Sequence, residues 1–220
     1  MKTKLLLTIV LAVCVVAAPA SADLFTFTLG TLKTSYDTGT QIFTADEIDG
    51  TTSALVSRLV APTTSAYFDS SWGGLEDFAL TMNISGISIG GDTALGAGSF
   101  AFTDIDGDVI SGDLSGNWFT DAQDVLKFEG LLSDIVYTPS SGGETTFNGD
   151  FGTLASMVFS DPSPWLGSVV ELTHSGLSFN TSWTNVEGSG LTATVVPVPA
   201  AVILGVLGLG IAGWRLRRFA

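Results

Sequence analysis

Three aspartates that alternate along the chain are the most concentrated candidates for chemistry in this sequence. Asp104, Asp106 and Asp108 lie in the run Asp-Ile-Asp-Gly-Asp, and carboxylate oxygens spaced in this way can converge on a hard cation such as calcium. An EF-hand loop would also need glycine where the chain has Val109, and a bidentate glutamate where it has Ser115. The pattern therefore predicts a calcium site without the EF-hand framework, and leaves a purely structural interpretation open.

The structural interpretation of the same run is a β-hairpin. Ser99–Thr103 would form the outgoing strand, Val109–Trp118 the returning strand, and Asp106-Gly107 the turn between them. Both interpretations can hold together, because a hairpin tip that carries several acids is stabilised by a neutralising ion.

Tryptophans are the second group of candidates, since a flat aromatic ring can stack against a sugar. Trp72 lies in Ser-Trp-Gly-Gly and Trp165 in Pro-Ser-Pro-Trp, which are sequences typical of loops. We therefore expect Trp72 and Trp165 to be the better candidates for ligand binding. The alternative, which applies equally to Trp118 and Trp183, is burial in the core or at an interface.

Catalytic residues are not indicated by any motif. His174 is the only histidine; it lies in an alternating strand-like run and no Gly-x-Ser-x-Gly motif accompanies it, so we expect a strand residue that faces solvent or a neighbour. A glycosidase with two carboxylates stays open, because the 22 acids offer many pairs and none stands out. We expect a protein that is not an enzyme.

The elements that would position these residues are predicted to be β-strands. Apolar and polar residues alternate in runs such as Leu24–Leu29 and Leu80–Ile84, and clusters of Gly, Asp and Ser separate the runs. This pattern predicts an all-β fold, an antiparallel sandwich or jelly roll. Gly86 is predicted to be a bulge, and single helical turns are predicted near Ala45–Ile48 or Ala122–Leu126.

Charge divides the chain into three parts. Residues 23–196 contain all 22 acids and only three of the eight cations, which gives this segment a net charge of −19. Both ends are apolar and basic. The acidic segment is predicted to be an extracytoplasmic domain, and its charge excludes a simple nucleic-acid binder because phosphate would be repelled.

The N-terminal 22 residues are typical of a secretory signal peptide. Two lysines within the first four residues precede the apolar run Leu5–Ala18, and Ala20-Ser21-Ala22 resembles a cleavage site ahead of Asp23. We expect cleavage between Ala22 and Asp23, with a retained membrane helix as the alternative. The single cysteine would be removed with this peptide, which excludes disulfides and cysteine-based zinc sites from the domain.

The C-terminal segment, residues 197–220, is predicted to span a membrane. The uncharged run that begins at Val195 is 20 residues long, which as a helix approaches the roughly 30 Å thickness of the hydrocarbon layer. Basic residues follow at once and are expected on the cytoplasmic side: Arg215, Arg217 and Arg218.

This C-terminal order of elements is similar to the PEP-CTERM sorting tail of Gram-negative envelope proteins. The matching features are Pro197-Val198-Pro199, the apolar run and the terminal arginines, and they cover about a tenth of the chain. The tail looks most like the Val-Pro-Leu-Pro-Ala variant, because Val198 stands where the main form has glutamate. The resemblance implies processing by an exosortase in the membrane. A plain single-pass anchor is the alternative.

The sequence thus predicts an exported, non-enzymatic protein with a structural or adhesive role. We expect signal peptidase and an exosortase as processing partners, an inner-membrane intermediate, and a final place at the cell surface, in the outer envelope or in the extracellular matrix, where exopolysaccharide is a candidate partner. The alternative function is a secreted carbohydrate-binding module or hydrolase. Calcium is the one candidate cofactor.

Overall fold

A computed structural model describes residues 24–59, 63–69, 77–140, 146–155 and 165–197. In these ranges every regular element is a β-strand. The twelve strands, in chain order, are β1 (Phe25–Asp37), β2 (Ile42–Asp46), β3 (Ser53–Arg58), β4 (Thr64–Phe68), β5 (Asp77–Ser85), β6 (Thr93–Thr103), β7 (Val109–Thr120), β8 (Val125–Thr138), β9 (Thr146–Asn148), β10 (Phe151–Ala155), β11 (Trp165–Ser175) and β12 (Trp183–Pro197).

Eight of these strands close into a barrel. Antiparallel pairing connects β1, β2, β5, β6, β7, β8, β11 and β12 in that order, and β12 pairs again with β1. The closing pair joins residues that are far apart in the chain, with Phe25 opposite Val195. The antiparallel all-β prediction is confirmed, but the strands form a closed ring where the sequence predicted a sandwich or jelly roll.

The first strand also starts a second, smaller sheet. Its first half, Phe25–Gly30, pairs with β3, whereas its second half, Lys33–Asp37, pairs with β2. From β3 the pairing continues through β4 and β10 to β9, and we call these four strands the side sheet. The hydroxyl of Thr52 holds the point of divergence, because it donates to the Thr31 carbonyl at 2.8 Å and accepts from the backbone N–H of Ile48 at 2.7 Å.

The interior is filled by the inward-facing residues of both sheets. At the end of the barrel that carries the four hairpin turns, Trp118 packs against Phe43, Phe128 and Phe179 with ring centroids 5.0–5.3 Å apart. At the opposite end, Phe68 and Phe147 of the side sheet pack on Phe102 of β6 in the same core. Burial of these rings is the main force that holds the side sheet to the barrel.

A row of glycines lets three neighbouring strands approach closely. Gly96, Gly116 and Gly130 face each other across β6, β7 and β8. A Cβ atom on Gly116 would lie 2.1 Å from the carbonyl oxygen of Glu129, and one on Gly96 would lie 2.8 Å from the indole nitrogen of Trp118. No side chain fits here, which is typical of the sites where a closed sheet bends sharply.

The four hairpin turns at one end of the barrel are linked by hydrogen bonds between loops. Backbone N–H groups donate to carbonyls of the facing loop at 2.8–3.3 Å, and a serine hydroxyl accepts from the β1–β2 turn at 2.9 Å. The donor and acceptor pairs are Thr120 with Asp92, Gly176 with Asp124, Phe179 with Gly91, and Thr38 with Ser182.

Two sequence predictions about local geometry are wrong. Gly86 is not a bulge inside a longer strand: its φ of +60° places it in the turn that follows the last residue of β5. The predicted helical turns are absent from the described residues, because Ala45 belongs to β2 and residues 121–124 form the β7–β8 turn. The predicted hairpin of β6 and β7 around Asp106-Gly107 is confirmed.

Strand β12 runs to Pro197, the first proline of the predicted sorting motif. The rest of that motif, the three terminal arginines and the predicted signal peptide with its cleavage site lie outside the described residues. Within those residues, no helix is long and apolar enough to cross a bilayer.

The glycine row predicts a sharp difference between two Gly→Ala substitutions. Gly116→Ala should lower the free energy of unfolding by about 3 kcal/mol, because the added methyl group clashes with backbone atoms that cannot move independently. Gly190→Ala is the control: its nearest neighbour would be the Leu29 carbonyl at an ordinary 3.6 Å, and a change of at most about 1 kcal/mol is expected. Urea unfolding of both variants measures this, and equal stability would contradict close strand approach at Gly116.

Candidate functional site

The predicted cation site is a buried hydrogen-bond network at the tip of the β6–β7 hairpin. Asp104 is fully buried. One of its carboxylate oxygens accepts from the backbone N–H groups of Asp106 and Asp108 at 2.9 and 2.7 Å, and the other accepts from the N–H of Asn148 in β9 at 2.7 Å. Burial raises the pKa of Asp104, although these three N–H groups favour its ionised form.

Asp108 ties the same tip to the end of β8. Its side chain is fully buried; one oxygen accepts from the backbone N–H of Ser140 at 2.5 Å, and the other accepts from the hydroxyl of Tyr137. That hydroxyl also lies 3.2 Å from the carbonyl of Thr146, at the start of β9. The hairpin tip is therefore attached to both β8 and the side sheet.

Asp106 is the exposed member of the three. Its carboxylate accepts from the side-chain amide of Asn148 at 2.5 Å. Each of the three carboxylates thus has its own donors, and among the described residues no group of three or more His, Cys, Asp or Glu side chains is arranged to hold a metal ion. Together with a backbone hydrogen bond from the Ile105 N–H to the Asn148 carbonyl at 3.5 Å, these carboxylates connect β9 to the barrel.

The predicted ligand-binding tryptophans are not brought together. The expectation that Trp165 lies in a loop is wrong, because it is the first residue of β11, is 3 % exposed and packs edge-on against Phe25 at 5.5 Å. Its ring completes the core and presents no face to solvent. Trp72 lies outside the described residues. Trp118 and Trp183 are buried, as the structural alternative predicted.

His174 lies in β11, as predicted, but faces inward. It is 7 % exposed, and its Nδ1 lies 3.4 Å from the carbonyl oxygen of Ser175. No serine hydroxyl or carboxylate hydrogen-bonds to its ring among the described residues. The described surroundings are those of a core histidine and do not form a catalytic triad.

A pair of carboxyl groups that sequence reasoning did not single out lies where β2 ends beside β5. Glu47 accepts from the backbone N–H of Phe78 at 3.0 Å. Burial and a side-chain hydrogen bond with Asp77 raise the pKa of Glu47 to about 7. Burial also raises the pKa of the adjacent Asp46, with Asp77 adding to the shift and Lys33 opposing it. The sequence signal for Glu47 is the dipeptide Asp46-Glu47 at the end of a strand.

Two aromatic rings on the outer face of the side sheet were also missed. Tyr67 of β4 and Phe151 of β10 are directly paired across the strands, and they are 40 % and 63 % exposed. Their ring centroids lie 6.2 Å apart, with 34° between the ring planes. The sequence signal for Tyr67 was its place in the alternation of the strand: it lies between Ala66 and Phe68, whose side chains are buried on the other face.

The outer face of β5–β8 carries a groove of about 420 Å³. Small residues line its floor, among them Thr81, Ser99 and Ser111, and two carboxylates border it, Asp113 and Asp134. The groove follows a bulge in β8, since Ser111 pairs with Val136 but Asp113 pairs with Ser133. Asp134, inside the bulge, adopts a left-handed φ of +51°.

Comparison with protein families, curated proteins and solved structures finds no match for this chain.

The carboxylate network predicts that Asp104 contributes strongly to stability. Asp104→Ala should lower the free energy of unfolding by about 3 kcal/mol, because three N–H groups lose the acceptor they share. Asp106→Ala, which removes one exposed hydrogen bond, should cost about 1 kcal/mol. Chemical unfolding followed by tryptophan fluorescence measures both.

Adding calcium distinguishes the hydrogen-bond network from the predicted cation site. If hydrogen bonds satisfy the three carboxylates, millimolar calcium should leave the melting temperature of the wild type unchanged. A calcium-dependent rise that disappears in Asp106→Ala would instead support a cation site at Asp104, Asp106 and Asp108.

The raised pKa of Glu47 predicts that the folded protein becomes less stable as pH rises. Its pKa is about 7 in the folded protein against 4.5 for the free group, so the folded state holds the extra proton between these values. This contribution is fully present below pH 4.5 and is lost as pH rises through about 7. Melting temperatures measured from pH 5 to pH 8 should therefore decrease, and Glu47→Gln, which resembles the protonated acid, should flatten the decrease.

The exposed Glu129 on β8 provides the matched control. Glu129→Gln removes the same charge outside this carboxyl pair and should keep the wild-type dependence on pH. The prediction for Glu47 is contradicted if Glu47→Gln lowers the melting temperature equally at pH 5 and at pH 8.

Proposed function

We propose that this protein is exported to the cell envelope or extracellular matrix of a Gram-negative bacterium, where its acidic barrel has a structural or adhesive and non-enzymatic role. The observation that carries the proposal is where the chain enters and leaves the barrel. β1 begins at Phe25, two residues after the predicted signal-peptide cut, and β12 ends at Pro197, within the motif that resembles the PEP-CTERM tail. The folded body therefore fills the interval between the two predicted processing segments.

The pairing of these two strands supports delivery by terminal signals. Phe25 of β1 lies opposite Val195 of β12, so both ends of the body lie side by side at one end of the barrel. Signal peptidase, acting between Ala22 and Asp23, would leave every strand of the barrel in place. An exosortase that acts after Pro197 would also leave every strand in place. The protein would then be bound to the membrane only until this cleavage.

Charge supports a place outside the cytoplasmic membrane in a hydrated matrix. The segment of residues 23–196 has a net charge of −19, which keeps such a body soluble and repels anionic surfaces. Among the described residues, Lys127 forms a salt bridge with Asp121 at 2.9 Å, and most acids remain unpaired by cations because only three cations are present in the segment. A structural or adhesive role would therefore depend on neutral partners or on divalent cations.

The second candidate function is a secreted carbohydrate-binding module or hydrolase. Burial of Trp165 removes one of the two tryptophans on which that interpretation depended. The groove bordered by Asp113 and Asp134, with serine and threonine hydroxyls on its floor, favours it on different residues, since carboxylates and hydroxyls are the groups that bind sugars by hydrogen bonds.

Intact mass of the protein recovered from cells that contain an exosortase tests the proposal. We expect a mature chain that begins at Asp23 and lacks Arg215, Arg217 and Arg218. A variant with all three arginines changed to glutamine should be secreted without tail removal, because the positive stop on the cytoplasmic side is lost. A mature chain that keeps the whole tail would support the plain membrane anchor, and an uncut chain in the cytosol would overturn export.

A further inference from the structure

We propose that Tyr67 and Phe151 form an aromatic platform that binds a sugar ring of a neutral glycan. This goes beyond the structural role proposed above and does not rest on the sorting tail. The two side chains are large, exposed and adjacent, whereas Phe68, the other aromatic residue of these two strands, is fully buried. Half-buried Leu55 of β3 is directly paired with Tyr67 on the same outer face, and an exposed apolar patch of this kind is typical of a binding surface.

The geometry of the pair suits a flat ligand with C–H groups on its faces. The centroids lie 6.2 Å apart and the planes differ by 34°, so the two rings are close together and only moderately tilted from parallel. The face of an aromatic ring is electronegative and attracts the weakly positive C–H groups of a sugar. Tyr67 and Phe151 occupy directly paired positions of β4 and β10, which fixes their spacing through the backbone.

Glycines let the segment that carries Phe151 approach β4 closely. A Cβ atom on Gly149 would lie 2.5 Å from the Tyr67 carbonyl oxygen, and one on Gly152, which has a φ of +76°, would lie 2.2 Å from the Ser65 carbonyl oxygen. The segment that carries Phe151 therefore approaches β4 more closely than a chain with side chains at these positions could.

An exposed carboxylate adjoins the platform in the chain. Asp150 is exposed and immediately precedes Phe151; one of its oxygens accepts from the backbone N–H of Asp69 at 2.8 Å. This hydrogen bond holds the carboxylate at the residue that follows the last residue of β4. An oriented carboxylate accepts hydrogen bonds from sugar hydroxyls, which supplies the direction that stacking alone lacks.

The net charge of the domain and the small area of the platform favour a neutral glycan over other ligands. With a net charge of −19 on residues 23–196, nucleic acids and acidic polysaccharides are repelled even though their rings could stack. A second copy of this chain fits poorly, because the four rings that two copies would bring together bury at most about 1,000 Å², below the roughly 1,200 Å² of a stable interface. A neutral sugar meets neither obstacle.

The test is affinity electrophoresis of the full-length chain through gels that contain glucan, mannan, xylan, galactan or alginate, in a detergent without a sugar headgroup. We expect retardation by at least one neutral polysaccharide and none by anionic alginate. Tyr67→Leu and Phe151→Leu, which keep apolar volume but remove the ring, should weaken binding about tenfold or more. Tyr67→Phe and Phe151→Tyr, which keep the ring, should bind like the wild type.

Leu131→Ala, at an apolar residue of β8 that is 68 % exposed, is the control for loss of exposed apolar area and should leave binding unchanged. Melting temperatures confirm that each variant is folded. The proposal is overturned if no neutral polysaccharide retards the wild type, or if the leucine variants bind as well as the wild type. It is also overturned if sedimentation shows that Phe151→Leu converts a dimer into a monomer.

Discussion

The fold depends on one long-range pairing, that of β1 with β12. It brings Phe25 opposite Val195 and continues to Tyr36 opposite Trp183, so a single interface closes the barrel along its whole height. Because β1 then pairs with β3 in its first half and with β2 in its second half, the same strand carries the side sheet. Loss of this pairing would leave both sheets open and expose their edges to aggregation.

The acidic hairpin tip acts as a second point of closure, made by side chains and by one backbone hydrogen bond from Ile105 to Asn148. β9 ends the side sheet, and Asp104 and Asp106 connect it to the tip of β6 and β7 through Asn148. Charged acceptors make stronger hydrogen bonds than neutral ones, and full burial of Asp104 protects them from water. The side sheet is thereby attached to the barrel at both of its edges, which gives the outer rings Tyr67 and Phe151 a fixed support.

The sequence predicts individual strands and turns well, and the way in which the strands assemble into sheets less well. Alternation in Leu24–Leu29 and Leu80–Ile84 identified strands and their buried faces, and Asp106-Gly107 identified a hairpin turn, because both signals depend on neighbours in the chain. Closure of the barrel, the division of β1 between two partners and the burial of Trp165 depend on contacts between distant residues. The aspartate run shows the difference, since its sequence could not reveal that Asn148 and Tyr137 would supply the donors.

The position of the closing strand has a consequence for when the domain can fold. β12 is the last element of the domain to leave the ribosome, and without it β1 has no partner on one side along most of its length. The barrel cannot close on a nascent chain, and pairing across almost the whole domain forms slowly because of the entropy of joining distant segments. Delayed closure would suit the export proposed above, because a chain whose barrel has not closed can pass through a membrane channel before it folds.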